Sequence, residues 1–376
     1  MSKNKWMDKL LKSENAIKDR YNVHAEVLET HSPSLNFTFG KGWGLPRGAT
    51  LLLYGPPKAG KTVICNSFVG KLHQADPEAI AIKFDTEFRD HFQMNDLDEA
   101  AQNFGIDIDR YKIEQTNEPD KVFDYIEKDV AALCEEGAPI KLIIIDSLSG
   151  IQGIRNLNAD SVLVQQIGDE AMTYQKGLKR ILPVIRKYKI SLIITAQLRA
   201  QMDMAAQMRG EKTKAAVAFG VQHFCEYFMM VEPNLSKEGR TNLEGNKLEN
   251  EEMTDFMDNS ERTGHKVRVK MVNSSLGPKN RVGEFTLDYD FGIINTHEEA
   301  LILGVGRKSI EKPTSMSYTF EGNKWTGQKA LLAALKQDPD LCQRVLADVR
   351  KRELTNHRKR PDSVEVNETL VEEQSA

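Results

Sequence analysis

Residues Gly55 to Thr62 read GPPKAGKT, a GxxxxGK[ST] run set between an apolar strand pattern (ATLLLY, 49–54) and a helical one (TVICNSFVGKLHQ, 62–74). Spacing and context together point to a phosphate-binding loop. Glycines at 55 and 60 let the backbone close around phosphate oxygens, whose charge is stabilised by exposed N–H groups and the helix N-terminus. Lys61 is placed to reach the β- and γ-phosphates, and Thr62 to give a hydroxyl to Mg²⁺. Pro56, Pro57, Lys58, Ala59 and Val63 complete the cradle. The competing reading, a glycine-rich turn that matches by chance, has to explain both flanks as well.

Three more polar residues stand at the ends of apolar runs. Asp146 closes LIIID, where a carboxylate can hold Mg²⁺ through water, or else cap the following turn. Glu87 follows AIAIKFD (79–85) by two residues. In an open parallel sheet the carboxyl ends of strands face the ligand crevice, so Glu87 is a candidate base for an attacking water, with a solvated loop glutamate as the alternative. Gln197 ends ISLIITAQ (190–197), where an amide can sense a γ-phosphate.

The elements that must position these groups alternate along the chain. Strand patterns at 49–54, 79–85, 141–147 and 190–197 are separated by helical ones at 62–74, 120–135 and 170–188. Continuous apolar strands between helices imply an α/β fold with a parallel sheet covered on both faces. HKVRVKMV (265–272) and GEFTLDYD (283–290) read as paired strands, and 297–305 and 328–352 as helices of a small C-terminal unit. Trp6, Leu10, Ile17 and Tyr21 sit near helical spacing, which predicts an N-terminal helix over 4–21. Ser32-Pro33-Ser34 with Gly40, Gly42 and Gly44 read as a linker after it.

Composition narrows the class. The 376 residues are 40% hydrophobic and 28% charged, enough for a sizeable core. No run reaches the length of a membrane span, and the polar start MSKNKWMDKL is not a signal peptide. Cys65, Cys134, Cys225 and Cys342 form no CxxC pair, which argues against structural zinc or a disulfide framework and for a reducing cytoplasm; Cys65 reads as a buried small hydrophobe. The net charge of −4 hides an asymmetry. Segment 233–264 holds eight acids against four bases and reads as a mobile acidic surface insertion, and the last sixteen residues hold five acids and no base. The remainder is slightly basic, which leaves room for a nucleic-acid groove.

GWGLPRGATLLLYGPPKAGKT, FDTEF, GIDID, LIIIDS, IGDE, SLIITAQLR, VRVKMV and YTFEGNKWTGQKALLAALKQDP, in this order, resemble the RecA-type recombinases from about residue 30 to about residue 352. The DTEFR run, the insertion and the drifted loops place the resemblance toward a divergent, phage-encoded, UvsX-like branch. It implies a RecA-type P-loop ATPase core with a parallel-rich central sheet, an N-terminal helix and a small C-terminal α+β domain. The expected division is an N-terminal polymerisation segment (1–31), the core (32–297, with 233–264 inserted), the C-terminal domain (298–354) and a charged, disordered tail (355–376). ATP and Mg²⁺ are the implied cofactors. Lys61, Glu87 and Gln197 are implied in catalysis, and Thr62 and Asp146 at the metal.

The resemblance further implies DNA loops at about 151–171 and 199–217. Arg155, Arg199, Arg209, Lys212 and Lys214 would contact DNA there, with Met172 and Met202 as base wedges; ordinary core or surface methionines are the alternative for the last two. Implied partners are single-stranded and homologous double-stranded DNA, further copies of the chain in a helical filament, and single-strand-binding and mediator proteins, with no membrane. The implied location is the cytoplasm, nucleoid-associated, or the host cytoplasm for a phage protein. A ring-forming DNA motor and a DNA-binding regulator with little turnover are the alternative functions. The sequence departs from the bacterial pattern where two lysines reach a neighbour's ATP: Asn273 and Ser275 stand there. Lys279 and Arg281, beyond the Gly277-Pro278 turn, are the expected replacements. Ala218 and Phe219 replace paired glycines of the second loop, and Phe92 is the candidate for an adenine-stacking tyrosine.

Overall fold

The computed structural model describes residues 26–89, 101–157, 168–200, 213–215, 219–234, 240–241, 263–275 and 277–355. The N-terminal helix expected over 4–21, Phe92, Met202, Arg209, Lys212, most of 233–264 and the tail from 361 lie outside them.

The central sheet is built from β1 (Thr50–Tyr54), β2 (Ile80–Asp85), β3 (Tyr111–Gln115), β4 (Ile140–Asp146), β5 (Ser191–Ala196), β6 (Tyr227–Asn234), β7 (Gly264–Ser274), β8 (Val282–Asp288) and β9 (Gly292–Ile294). Their spatial order is β9-β8-β7-β6-β1-β5-β4-β2-β3, with the two-residue strand Arg240–Thr241 paired to β7. Every pair from β6 to β3 is parallel. The pairs β6–β7, β7–β8 and β8–β9 are antiparallel. Pro233, Asn234 and Gly264, at the ends of the acidic segment, belong to strands β6 and β7.

Side-chain alternation sends successive residues of each buried strand to opposite faces. Leu51 and Leu53 of β1 pack with Ile64, Cys65, Phe68 and Leu72 of α2 (Lys61–Ala75); the short helix α1 (Pro33–Thr38) adds Leu35 to that face. Leu52 and Tyr54 meet α4 (Asp169–Lys187) and the helical run α3, which comprises Pro119–Asp124, a π-helical turn Tyr125–Val130 and Ala131–Glu135. Helix α4 shows why it forms. Tyr174, Leu178, Ile181 and Ile185 make one buried stripe, while Asp169 and Glu170 in its first turn and Arg186 and Lys187 in its last complement the helix dipole.

A third cluster unites α5 (Thr296–Gly306), a small sheet of β10 (Glu311–Thr314), β11 (Ser317–Phe320) and β12 (Asn323–Thr326), and helices α6 (Gln328–Gln337) and α7 (Pro339–Thr355). The helix expected over 328–352 is thus two: Asp338 ends the first, and its carboxylate accepts from Leu341 N–H (3.0 Å) to start the second behind Pro339. Phe37 and Trp43 belong to this same cluster, which corrects the linker reading of 32–44. Ser32 caps α1 through Leu35 N–H (3.0 Å), Pro33 takes the first helical position, and all six residues of α1 are buried. Glu299 of α5 accepts from Ser32 Oγ (2.7 Å) and Ser34 N–H (2.8 Å), and burial pushes its carboxyl up to about 8. In the same unit Glu353 of α7, 6% exposed, pairs with Arg281 and with Arg307 (3.5 Å), and both guanidiniums lie over the Phe37 ring. Among the described residues no helix is long and apolar enough to cross a membrane.

Candidate nucleotide and metal site

Parallel pairing brings the carboxyl ends of β1, β2, β4 and β5 to one edge of the sheet, and the four sequence candidates arrive there together. The loop after β1 turns tightly beside β6: a Cβ on Gly55 would stand 2.2 Å from the Val231 carbonyl oxygen, so only glycine fits. Gly60 takes φ +91°, a conformation open to glycine at no steric cost, and no side chain caps α2 after it. The amides of the first turn are therefore left for an anion.

Lys61 Nζ donates to the carbonyls of Gly55 (3.0 Å) and Pro56 (2.8 Å). Burial holds this amine below its ordinary value, while Asp146 and Glu87 pull it up. Thr62 Oγ1 donates to Asp146 Oδ2 (3.1 Å), and Thr195 Oγ1, from β5, donates to Asp146 Oδ1 (2.5 Å). A hydroxyl and a carboxylate oxygen this close are a hard donor pair that suits Mg²⁺ completed by phosphate and water oxygens.

Glu87 is aimed by its neighbours. Ser147 Oγ donates to its Oε1 (2.6 Å), Gln197 Nε2 lies 3.4 Å from the same oxygen, and Arg89 pairs with Oε2 (2.7 Å). Thr86 ties β2 to β4: its hydroxyl donates to the Ser147 carbonyl (2.5 Å) and accepts from Ser147 N–H (3.0 Å). The base candidate and the metal carboxylate are thereby held in one frame.

A cavity of about 590 Å³ opens over these groups. Its far wall comes from the antiparallel side, with Leu287 and Asp288 of β8, Tyr289 just after it and His265 of β7, and from Asn103 and Phe104. His265 Nδ1 and Tyr289 Oη are 3.1 Å apart. Sequence reasoning missed this wall, and it also missed Lys83, Thr195, Ser147 and Arg89. Only Lys83, a charge inside the apolar run IAIKFD, carried a visible signal.

The DNA candidates are not gathered in the same way. Arg155 lies exposed on the short helix Ile154–Leu157, where its N–H donates to Asp169 Oδ2 (2.8 Å). Met172, 38% exposed, stands in the first turn of α4, and Ile154 and Leu157 are exposed with it. Arg199 and Lys214 are register partners in an antiparallel pair, Leu198–Ala200 with Thr213–Ala215, that starts directly after Gln197. Of the two cations expected to act across a subunit boundary, Lys279 is exposed. Arg281 is not free for that role, because it donates to the Phe37 carbonyl (3.0 Å) and pairs with Glu353 inside the chain.

A family model described as RecA N-terminal domain matches residues 9–294. A protein named RecA from Streptomyces ambofaciens is 26% identical over 339 residues, covering 89% of this chain and 80% of its own length. One of the same name from Mycoplasmopsis pulmonis is 24% identical over 331 residues, covering 87% and 86%. One from Campylobacter hominis is 22% identical over 326 residues, covering 87% and 83%.

Proposed function

This chain belongs to the RecA family, and from that premise we propose that it is an ATP-dependent homologous recombinase that forms filaments on single-stranded DNA and promotes strand exchange. The observation that carries the reading is the meeting of Lys61, Thr62, Asp146, Glu87 and Gln197 at one sheet edge over one cavity. Relatives named RecA favour neither a ring-forming motor nor a low-turnover regulator.

Phosphate oxygens would take the Lys61 amine over from the Gly55 and Pro56 carbonyls, two weaker acceptors already within reach. Thr62 and Asp146 would hold Mg²⁺, which when bound would supply charge neutralisation to the nucleotide phosphates. Glu87 accepts the proton of the attacking water. Ser147 keeps its Oε1 oriented, so the carboxylate does not have to reorganise at the moment of reaction. Gln197 reports on this event: its amide contacts Glu87, and the strand that begins at Leu198 leads into the second basic loop. Arg199, Arg209, Lys212 and Lys214 there, with Arg155 in the first loop, contact DNA phosphates irrespective of sequence. Single-strand-binding and mediator proteins are the expected accessory partners, and the cytoplasm, a phage host's included, the place of action.

Strand exchange between a single-stranded circle and a homologous linear duplex tests the whole reading. Joint molecules should form with ATP and Mg²⁺ and not without. Lys61→Ala should weaken ATP binding by roughly 2–5 kcal/mol, the cost of removing one partner from a desolvated charge pair. ATP affinity equal to that of the parent would remove the phosphate-loop assignment, and ATP hydrolysis without joint molecules would return the motor reading.

A further inference from the structure

Strand β2, IAIKFD, is interrupted by a cation that solvent hardly reaches, since 3% of the Lys83 side chain is exposed. Lysine is almost never buried so far unless its charge is answered. The register places Lys83 opposite Ile144 and Asp85 opposite Asp146, so the side chain runs toward the carboxyl edge of the sheet. Its Nζ ends 3.4 Å from Asp146 Oδ2. That oxygen is the one already accepting from Thr62 at 3.1 Å, and Thr195 holds the other. Lys83 lines the phosphate cavity together with Asp85, a second carboxylate that is 3% exposed. The hydrolysis scheme above makes no use of it.

We propose that Lys83 is a resident counter-cation that competes with Mg²⁺ for Asp146 and so sets how much magnesium the nucleotide site demands. The inference rests on the reading of Thr62 and Asp146 as the magnesium residues. Asp85 is buried and Asp146 is 16% exposed, so carboxylates at one sheet edge repel each other and lose hydration, and the Lys83 ammonium offsets this at Asp146. The same ammonium stands where a divalent cation bound by way of Asp146 must feel it. At protein-like screening, like charges a few ångströms apart oppose each other strongly enough to change a binding constant severalfold. Lys83 acts through Asp146 and is a positioning residue: it orients Oδ2 toward Thr62 and lowers the pull of that oxygen on metal.

Magnesium titrations of ATP binding, followed with a fluorescent ATP analogue at fixed pH, test this on the full chain and on Lys83→Gln, Lys83→Met and Lys83→Arg. The two neutral variants should reach half-saturation at about threefold to tenfold lower magnesium. Lys83→Arg keeps the charge and should keep the parent's demand. Unchanged or higher demand in the neutral variants overturns the inference, as does an arginine variant that behaves like them. Neutral variants that cannot fold overturn it too, because the ammonium would then be a structural requirement and not a competitor. A parent chain whose ATP binding ignores magnesium would sink the metal reading itself. A magnesium-dependent parent with unresponsive variants sinks the role of Lys83 alone.

Discussion

At the carboxyl edge of the sheet Lys61, Lys83, Glu87 and Asp146 line a cavity of about 590 Å³. At the seam between α1 and the C-terminal unit the same residue types close on one another. Glu353 receives two guanidiniums, Phe37 is covered by both, and Glu299 takes a hydroxyl and an amide proton from the start of α1. Burial alone does not separate the two regions, since Lys83 and Glu353 are both nearly inaccessible. What separates them is the backbone. The edge has glycines at 55 and 60 and a helix whose first amides no side chain caps, whereas α1 is capped by Ser32. At the edge the first amides of α2 stay open to a ligand, whereas at the seam those of α1 are already answered by Ser32 and Glu299.

The largest effect expected from breaking this contrast is at the edge. Glu87→Gln should lower ATP turnover by about 10²–10⁴-fold, the usual worth of a positioned proton acceptor, while ATP binding and the melting temperature stay near the parent's. Steady-state ATPase with DNA, set beside a thermal melt, decides it; undiminished turnover would assign the base elsewhere. Next comes the seam. Glu353→Ala strands Arg281 and Arg307 against each other and should destabilise the chain by roughly 3–5 kcal/mol in urea unfolding, leaving nucleotide affinity unchanged. A loss of ATP binding in the folded variant would show that the two regions are not separate.

The smallest effect depends on pH. Between the ordinary value of 4.5 and about 8, Glu299 keeps its proton in the folded chain and loses it in the unfolded one. Its contribution is therefore complete below 4.5 and is lost as pH rises toward 8. Glu299→Gln stays neutral throughout. It should flatten the stability profile across that window and exceed the parent at pH 8 by roughly 2–4 kcal/mol. Parallel urea melts at pH 5 and pH 8 measure it, and identical slopes for parent and variant would mean that Glu299 ionises freely.

The edge was legible in the sequence because its signals are local. Lys61 and Thr62 follow their glycine at fixed offsets, and Asp146 and Gln197 stand where apolar runs stop. The seam was not, because its meaning is distant. Ser32, Pro33 and three nearby glycines look like a linker until Glu299, 267 residues further on, answers Ser32. The small strands β10 and β12 carry mostly exposed residues, so no alternation marks them. Arg281 looked mobile beyond Gly277-Pro278, and its contacts with the Phe37 carbonyl and with Glu353, far along the chain, show that it is held. The far wall of the cavity follows the same rule: His265 lies on β7 and Tyr289 in the turn after β8, and the pairing of those strands brings them together.

Strand β6 runs parallel to β1 on one side and antiparallel to β7 on the other, and its ladder with β7 slips between Phe228 and Met229. Phe228 faces Asn273 while Met229 faces Met271, so Val272 is the one residue of β7 left without an opposite number. That surplus works like a frameshift written in side chains. N-terminal to it, Val267, Val269 and Met271 face the core and Lys266, Arg268 and Lys270 turn away; C-terminal to it, the buried parity passes from odd positions to the even one, Ser274. Pairing Val272 directly with Met229, with Ser274 kept against Tyr227, would slip everything before it by one residue and turn it to the opposite face. Three cations would then point into the sheet's apolar layer and three apolar side chains into water, although no residue type had changed.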